Sequence, residues 1–200
     1  MRRTKEEAAE TRRRIVAKAA EEFRAHGVEG IGISDLMGKL GLTHGGFYRH
    51  FESKDQLLAE ACRHALDRTV SELGETADKA PKGQGLETAL RQYLRPLHRD
   101  HPDKGCALAA IGGEVARTNE RSRAAMTEGF HHLVDTIARQ LPDLPPTEAE
   151  TRALAIVSGM VGALLLSRLV DDEALSSRLL RAARQHLATI GDPDPATDRA

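Results

Sequence analysis

The sequence predicts an all-α protein, and three observations carry that reading. Apolar residues recur at spacings of three and four through most of the 200 residues, as they do on helices with one buried face. Opening signals such as Ser53-Lys54-Asp55-Gln56 and Thr147-Glu148-Ala149-Glu150 alternate with stops such as Gly27, Gly41 and Pro142. No stretch alternates apolar and polar residues as a strand does, and no segment repeats or is of low complexity.

Residues Met1 to Glu7 read as a mobile basic arm, and Glu7 to His26 as the first helix, with Ile15, Val16, Ala19, Ala20 and Phe23 on one face. Arg12, Arg13 and Arg14 follow Thr11 near its start. Cations there oppose the helix dipole, a small cost that makes sense beside phosphate. Gly27 stops the helix, and Val28 to Gly32 connects.

Gly32 to Phe51 is the informative stretch. Ser34 suits an N-cap, Asp35 the positive first turn, and Leu36, Met37 and Leu40 one apolar face. Gly41 then fits a left-handed stop. Thr43 caps a second helix from His44 to His50, whose Phe47 and Phe51 face the core. Two short helices around a glycine turn form the helix-turn-helix unit, whose second helix enters the major groove of DNA. Gly45-Gly46 cost that helix roughly 2 kcal/mol of propensity relative to alanine. A helix used only for packing gains from alanine there, whereas bare backbone can approach a phosphate or base edge closely. Thr43, His44, Gly45, Gly46, Tyr48, Arg49 and His50, with Ser34 on the preceding helix, are the candidate DNA contacts. Thr11, Arg12, Arg14 and Lys54 are the candidate phosphate ligands.

The capping box at Ser53 opens a fourth helix, with Leu57, Leu58, Ala61, Ala65 and Leu66 buried, running to about Leu73 and Gly74. Ala77 to Gly85 is a linker by composition. Leu86 to about His98 reads as one helix, Cys106 to Arg117 as a small-residue helix and Glu120 to Leu141 as a longer one. Helices 147–170 and 171–190 follow. The first of these is apolar on most sides from Ala153 to Val170, so it needs cover on more than one face, which its own domain and a partner subunit can supply unless the two helices form an internal hairpin in a monomer. Gly191 to Ala200 reads as a disordered tail.

The run TRRRIVAKAAEEFRAHGVEGIGISDLMGKLGLTHGGFYRHFESKDQLL resembles the N-terminal domain of the tetracycline-repressor (TetR) family of transcriptional regulators. Thr11, Arg14, Ile15, Ala19, Phe23, Gly27, Ile33, Leu40, Gly41, Gly46, Tyr48, Phe51, Lys54 and Leu57 carry the match, over about a third of the chain. The family usually has Ala or Ile where Met37 and Gly38 lie, a small departure. The resemblance implies a three-helix, helix-turn-helix DNA-binding domain at 9–68, with the motif at 32–51. It also implies a helical ligand-binding and dimerisation domain at 75–190. It implies a phosphate contact for Lys54 and a homodimer formed by the last two long helices.

Composition sets bounds. Forty per cent apolar residues build a core, and a net charge of −1 does not by itself mark a nucleic-acid binder. The distribution says more: residues 1–18 hold seven Lys/Arg and three Glu, a local +4. Two cysteines and no signal peptide suit reduced thiols in a cytoplasm. The longest apolar run, Ala153 to Leu166, is about 14 residues against roughly 20 for a bilayer, so no membrane is expected. No nucleophile elbow, P-loop or zinc-ligand pattern is present, so neither enzyme activity, cofactor nor metal is expected. Cys106 at a helix start near Lys104 is a candidate thiol sensor, or a buried small residue. Glu114, Tyr93 and Phe130 are candidate effector contacts, in a cavity among the helices from Leu86 to Leu141.

The function expected is a ligand-responsive transcriptional regulator, a homodimeric repressor on a palindromic operator, released by a small molecule or by cysteine modification. The alternative is an all-helical small-molecule-binding protein or enzyme that does not bind DNA.

Overall fold

The computed structural model describes residues 5–191, and most of the expected arm and tail lies outside the described residues. The helices are α1 (Lys5–His26), α2 (Ile33–Lys39), α3 (His44–Phe47), α4 (Lys54–Asp78), α5 (Gly85–Tyr93), α6 (Pro96–Asp100), α7 (Ala107–Val115), α8 (Glu120–Ala138), α9 (Pro146–Leu169) and α10 (Glu173–Ile190). A 3-10 turn at Pro102–Lys104 precedes α7. No strand occurs among the described residues. The contacts divide the chain into two compact units: residues up to Arg68 with His101–Gly129, and Thr69–Asp100 with residues from Phe130 onward.

In the first unit Ile15, Ala19 and Phe23 of α1 are buried with Leu36 and Met37 of α2, Phe47, Phe51, and Leu57, Leu58, Ala61 and Leu66 of α4. The helix begins at Lys5, so Lys5 to Glu7 are helical and not an arm; Glu6 and Glu7 lie in its first turn, where carboxylates favour the dipole. Gly27, with φ at +81°, ends it. The segment 101–129 belongs to this unit through specific bonds. The buried Arg24 guanidinium donates from Nε, at 3.0 Å, and Nη2 to the Asp103 carbonyl. Arg63 pairs with Glu128 at 3.0 Å, and Gly129 lies directly against the Leu66 side chain, leaving no room for a Cβ.

In the second unit α10 packs along α9 and against α5, and α6 against α9. Leu90, Tyr93 and Leu94 are buried, as are Leu133, Val134 and Ile137 of α8 and Ala153, Ile156, Val157, Met160 and Leu164 of α9. Gly159 brings α9 close to Leu187 of α10, 2.6 Å from where a Cβ would stand.

Several boundaries differ from the sequence reading. The single helix expected over Leu86 to His98 is two, because Pro96 has no N–H to continue the ladder and disfavours helical backbone at the residue before it. α4 continues through Gly74 to Asp78, which shortens the linker to 79–84. Ser34 is not a cap: α2 starts at Ile33, two residues earlier than such a cap implies, with Gly32 at the N-cap and no side-chain bond. Nor is Thr147, since α9 starts at Pro146, whose preset φ and missing N–H suit the first helical turn.

The expectation that no segment is long enough for a bilayer also needs correction. α9 spans 24 residues with a mean hydropathy of 1.5 over its most apolar window. The apolar run Ala153 to Leu166 is only the middle of this helix, which extends to Pro146 and Leu169. A stripe of Ala149, Ala153, Ile156, Val157, Met160 and Leu164 is buried within its unit, which covers 39% of that window.

Candidate nucleic-acid interface

The helix-turn-helix unit is built by a turn and a cap. Gly41, with φ at +69°, lets the chain reverse after α2, and the amides of Leu40 and Leu42 both donate to the Met37 carbonyl. Thr43 caps α3 as expected, its Oγ1 accepting from the Gly46 amide at 3.2 Å. α3 proper has four residues, and the turn goes on in tighter steps: Arg49 N–H donates to Gly46 O, and His50 N–H to Phe47 O. The two glycines account for the short helix, since each removes about 1 kcal/mol of helix propensity.

Phe47 and Phe51 stack at 5.4 Å and are buried. Tyr48 stands edge-on to both Phe47 and His44, yet is 58% exposed. Thr43, His44, Gly45 and Arg49 are exposed alongside it, His50 and Gly46 half-buried. A Cβ at Gly45 would meet nothing within 4 Å, whereas one at Gly46 would lie 3.3 Å from Thr43 Oγ1. The bare backbone at Gly45 therefore serves no packing need inside the chain. Ser34 is exposed near the start of α2.

A buried carboxylate holds α2 against α1. Glu22 receives Lys18 at 2.9 Å, Lys39 of α2 at 2.9 Å and His26 at 3.3 Å. Burial pushes the Glu22 carboxyl up, but the bonds from Lys39 and Lys18 outweigh it and hold it below its usual range. Sequence spacing shows the i,i+4 pairs within α1 but not the Lys39 contact, 17 residues away.

The phosphate candidates divide. Lys54 opens α4 with Nζ only 3.7 Å from the exposed Glu29, a loose pair that phosphate can replace. Ser53 Oγ accepts from the Gln56 amide, and Gln56 Oε1 caps the Glu52 amide, one residue earlier than the usual box. Arg14 is exposed, and so is Arg13, which pairs with Glu10 at 2.5 Å. Two candidates are engaged within the chain. Thr11 is buried and its hydroxyl donates to the Glu7 carbonyl at 2.8 Å. Arg12 is turned inward, onto His50 O, Glu60 and the Phe51 ring.

Comparison with known proteins agrees with this geometry. Residues 15–61 match the family model described as bacterial regulatory proteins, tetR family. Residues 83–185 match that of the transcriptional regulator LmrA/YxaF-like C-terminal domain. The probable HTH-type transcriptional regulator ArpR of Pseudomonas putida is 36% identical over 180 residues, covering 83% of this chain and 85% of that protein. The chain belongs to the TetR family.

A solved TetR transcriptional regulator from Chloroflexus aurantiacus is similar at a TM-score of 0.75 and 30% identity, over 92% of this chain and 95% of that one. A second, from Cytophaga hutchinsonii, shares the fold at a TM-score of 0.79 and 20% identity, over 97% and 100%. As a TetR-family transcriptional regulator this chain is a DNA-binding protein and not an enzyme.

The sensor candidates of this TetR-family chain divide between the two units. Cys106 precedes α7 with no exposed surface, so its thiol is not offered to solvent. Cys62 is buried too, and burial pushes its thiol up to about 12. Glu114 is exposed, and its Oε2 accepts from the Val28 amide at 2.8 Å, fixing the chain where α1 gives way to α2. Tyr93 is buried edge-on to His98, while Phe130 is half-buried. Cys106 and Glu114 belong to the first unit, Tyr93 and Phe130 to the second. A hollow of about 500 Å³ lies between α1 and α4, lined by Arg12, Arg13, Val16, Glu60, Arg63, His64 and Asp67, away from the stretch where sequence placed a cavity. No cluster of three or more His, Cys, Asp or Glu able to hold a metal occurs among the described residues.

Proposed function

We propose that this chain is a cytoplasmic homodimeric repressor that binds a palindromic operator and is released by a small-molecule effector. Residues 9–68 read the DNA, with His44, Gly45, Tyr48, Arg49 and Thr43 at the groove and Lys54, Arg14 and Ser34 at the backbone. Residues 75–190 bind the effector and form the dimer. The observation that carries the DNA reading is the exposed polar face of α3 around the uncovered backbone of Gly45.

The dimer reading rests on α9 and α10. Leu154, Leu165, Leu166 and Leu169 of α9 and Leu175 of α10 are exposed large apolar residues, Leu169 at 71%. Gly162 on the same helix meets nothing within 4 Å, which permits close approach by a second helix pair. Two copies so joined present two reading helices about one turn of DNA, or a multiple, apart. An effector that favours the non-binding state by about 1–3 kcal/mol lowers operator affinity about 5–150-fold.

Selection of bound sequences from a random duplex pool tests this directly. A palindromic consensus is the expected result; an asymmetric or absent consensus overturns it. Leu169→Asp should yield monomers in sedimentation analysis and lose operator binding. A wild-type chain that sediments as a monomer refutes the dimer.

A further inference from the structure

Arg12 looks from sequence like a phosphate ligand, but its surroundings give it other work. Its Nη1 donates to the backbone carbonyl of His50, the end of the reading turn. Its Nη2 is 2.5 Å from Glu60 Oε1 on α4. The guanidinium carbon stands 4.1 Å over the Phe51 ring. Gln56 Nε2 donates to the same Glu60 oxygen at 3.3 Å, and Gln56 itself caps the amide of Glu52. One guanidinium thus ties α1, the exit of the reading helix and the first turns of α4. Side-chain exposures of 32% for Arg12 and 28% for Glu60 place the pair at the edge of the core, where water screens it only in part.

The arrangement suits arginine and no other residue. A planar fork bonds in two directions in its plane while its face rests on an aromatic ring; a lysine ammonium is a point charge on a flexible stem and does neither well.

We infer that Arg12 and Glu60 are a positioning pair, which sets the pose of the reading turn on α4 and does not itself bind DNA. The inference rests on α3 being the reading helix. Arg49 sits one residue before the clamped carbonyl and Tyr48 two before it, so the pair fixes where both side chains project. Losing it frees the turn to rotate while every exposed cation stays in place. Sequence-specific binding then falls and nonspecific attraction does not, because base contacts specify and phosphate contacts only hold.

The test measures affinity for the selected operator and for random duplex by fluorescence anisotropy, from about 50 to about 200 mM salt. Wild-type chain must first prefer the operator; if it does not, the DNA reading fails before this pair is in question. Arg12→Ala is expected to weaken operator binding roughly tenfold, the scale of one charge-assisted hydrogen bond. It should leave random-duplex affinity and the salt slope unchanged. A phosphate ligand would instead lose about 0.9 from the slope and weaken both DNAs alike. Arg12→Lys separates the roles again: it rescues a phosphate ligand but not the clamp. Glu60→Gln settles the sign, even if Arg12→Ala fails to fold. Removing a negative charge beside a phosphate ligand strengthens binding, whereas loosening the clamp weakens operator binding alone. Tighter binding by Glu60→Gln, or a reduced slope in Arg12→Ala, overturns the inference.

Discussion

Replacing Gly45 by alanine separates what the fold needs from what DNA needs. The site is open: a Cβ there meets no atom within 4 Å, and the backbone is not in the left-handed region. Alanine exceeds glycine in helix propensity by about 1 kcal/mol. α3 is only four residues long, so about half of that is the realistic gain in the free protein. For a chain of this size it corresponds to a rise of about 1–2 °C in Tm. On the operator the methyl group occupies the space that backbone is proposed to share with phosphate or base. Overpacking of that kind costs about 1–3 kcal/mol, or about 5–150-fold in affinity. Gly38→Ala is the control. It too meets nothing within 4 Å, and it lies on α2 rather than on the reading helix. It should raise Tm by a similar amount with operator affinity unchanged. Thermal melts by circular dichroism and anisotropy titrations on the selected operator read both quantities. If Gly45→Ala melts higher and binds the operator as tightly as wild type, bare backbone is not what the reading helix uses.

Three further outcomes are expected. Gly41→Ala should destabilise the chain by about 1–2 kcal/mol in urea, because φ at +69° is strained for any residue with a Cβ even though the space is empty; an unchanged midpoint would contradict the turn geometry. Burial holds His98 near pKa 4, despite the Tyr93 carbonyl 2.7 Å from its Nδ1, against 6.5 for a free side chain. The unfolded chain therefore takes up a proton first. Stability should fall as pH drops from about 6.5 towards 4 and level off below, with that portion missing in His98→Gln; identical pH profiles of the two proteins would rule it out. Neither Cys62 nor Cys106 should react with a thiol reagent such as Ellman's until denaturant is added, since both are buried; rapid labelling of Cys106 in the folded protein would restore it as a sensor.

Much of the reading unit was legible because it is local. Gly41 and Thr43 act within a few residues of their partners, so residue type and spacing suffice to place the turn and the cap. The buried sides of α1 and α4 follow from periodicity alone. Local rules also failed where two signals compete. Thr147 looked like a cap because its box pattern is complete, but Pro146 can start a helix earlier without any side-chain bond. Pro96 lay inside an apolar period that seemed continuous, and its missing N–H decided the matter.

By itself, then, the chain's order of residues determined that it is helical, where its reading turn lies and which side chains that turn exposes. Each depends on neighbours within about one or two helical turns. Tertiary structure alone decided what the long polar side chains do. Arg12 reaches a carbonyl 38 residues away and a carboxylate 48 away, and Glu114 an amide 86 away. Such bonds leave no periodic trace, because a guanidinium or carboxylate on a flexible stem serves solvent, phosphate or a distant backbone group equally well until the fold brings one of them within reach.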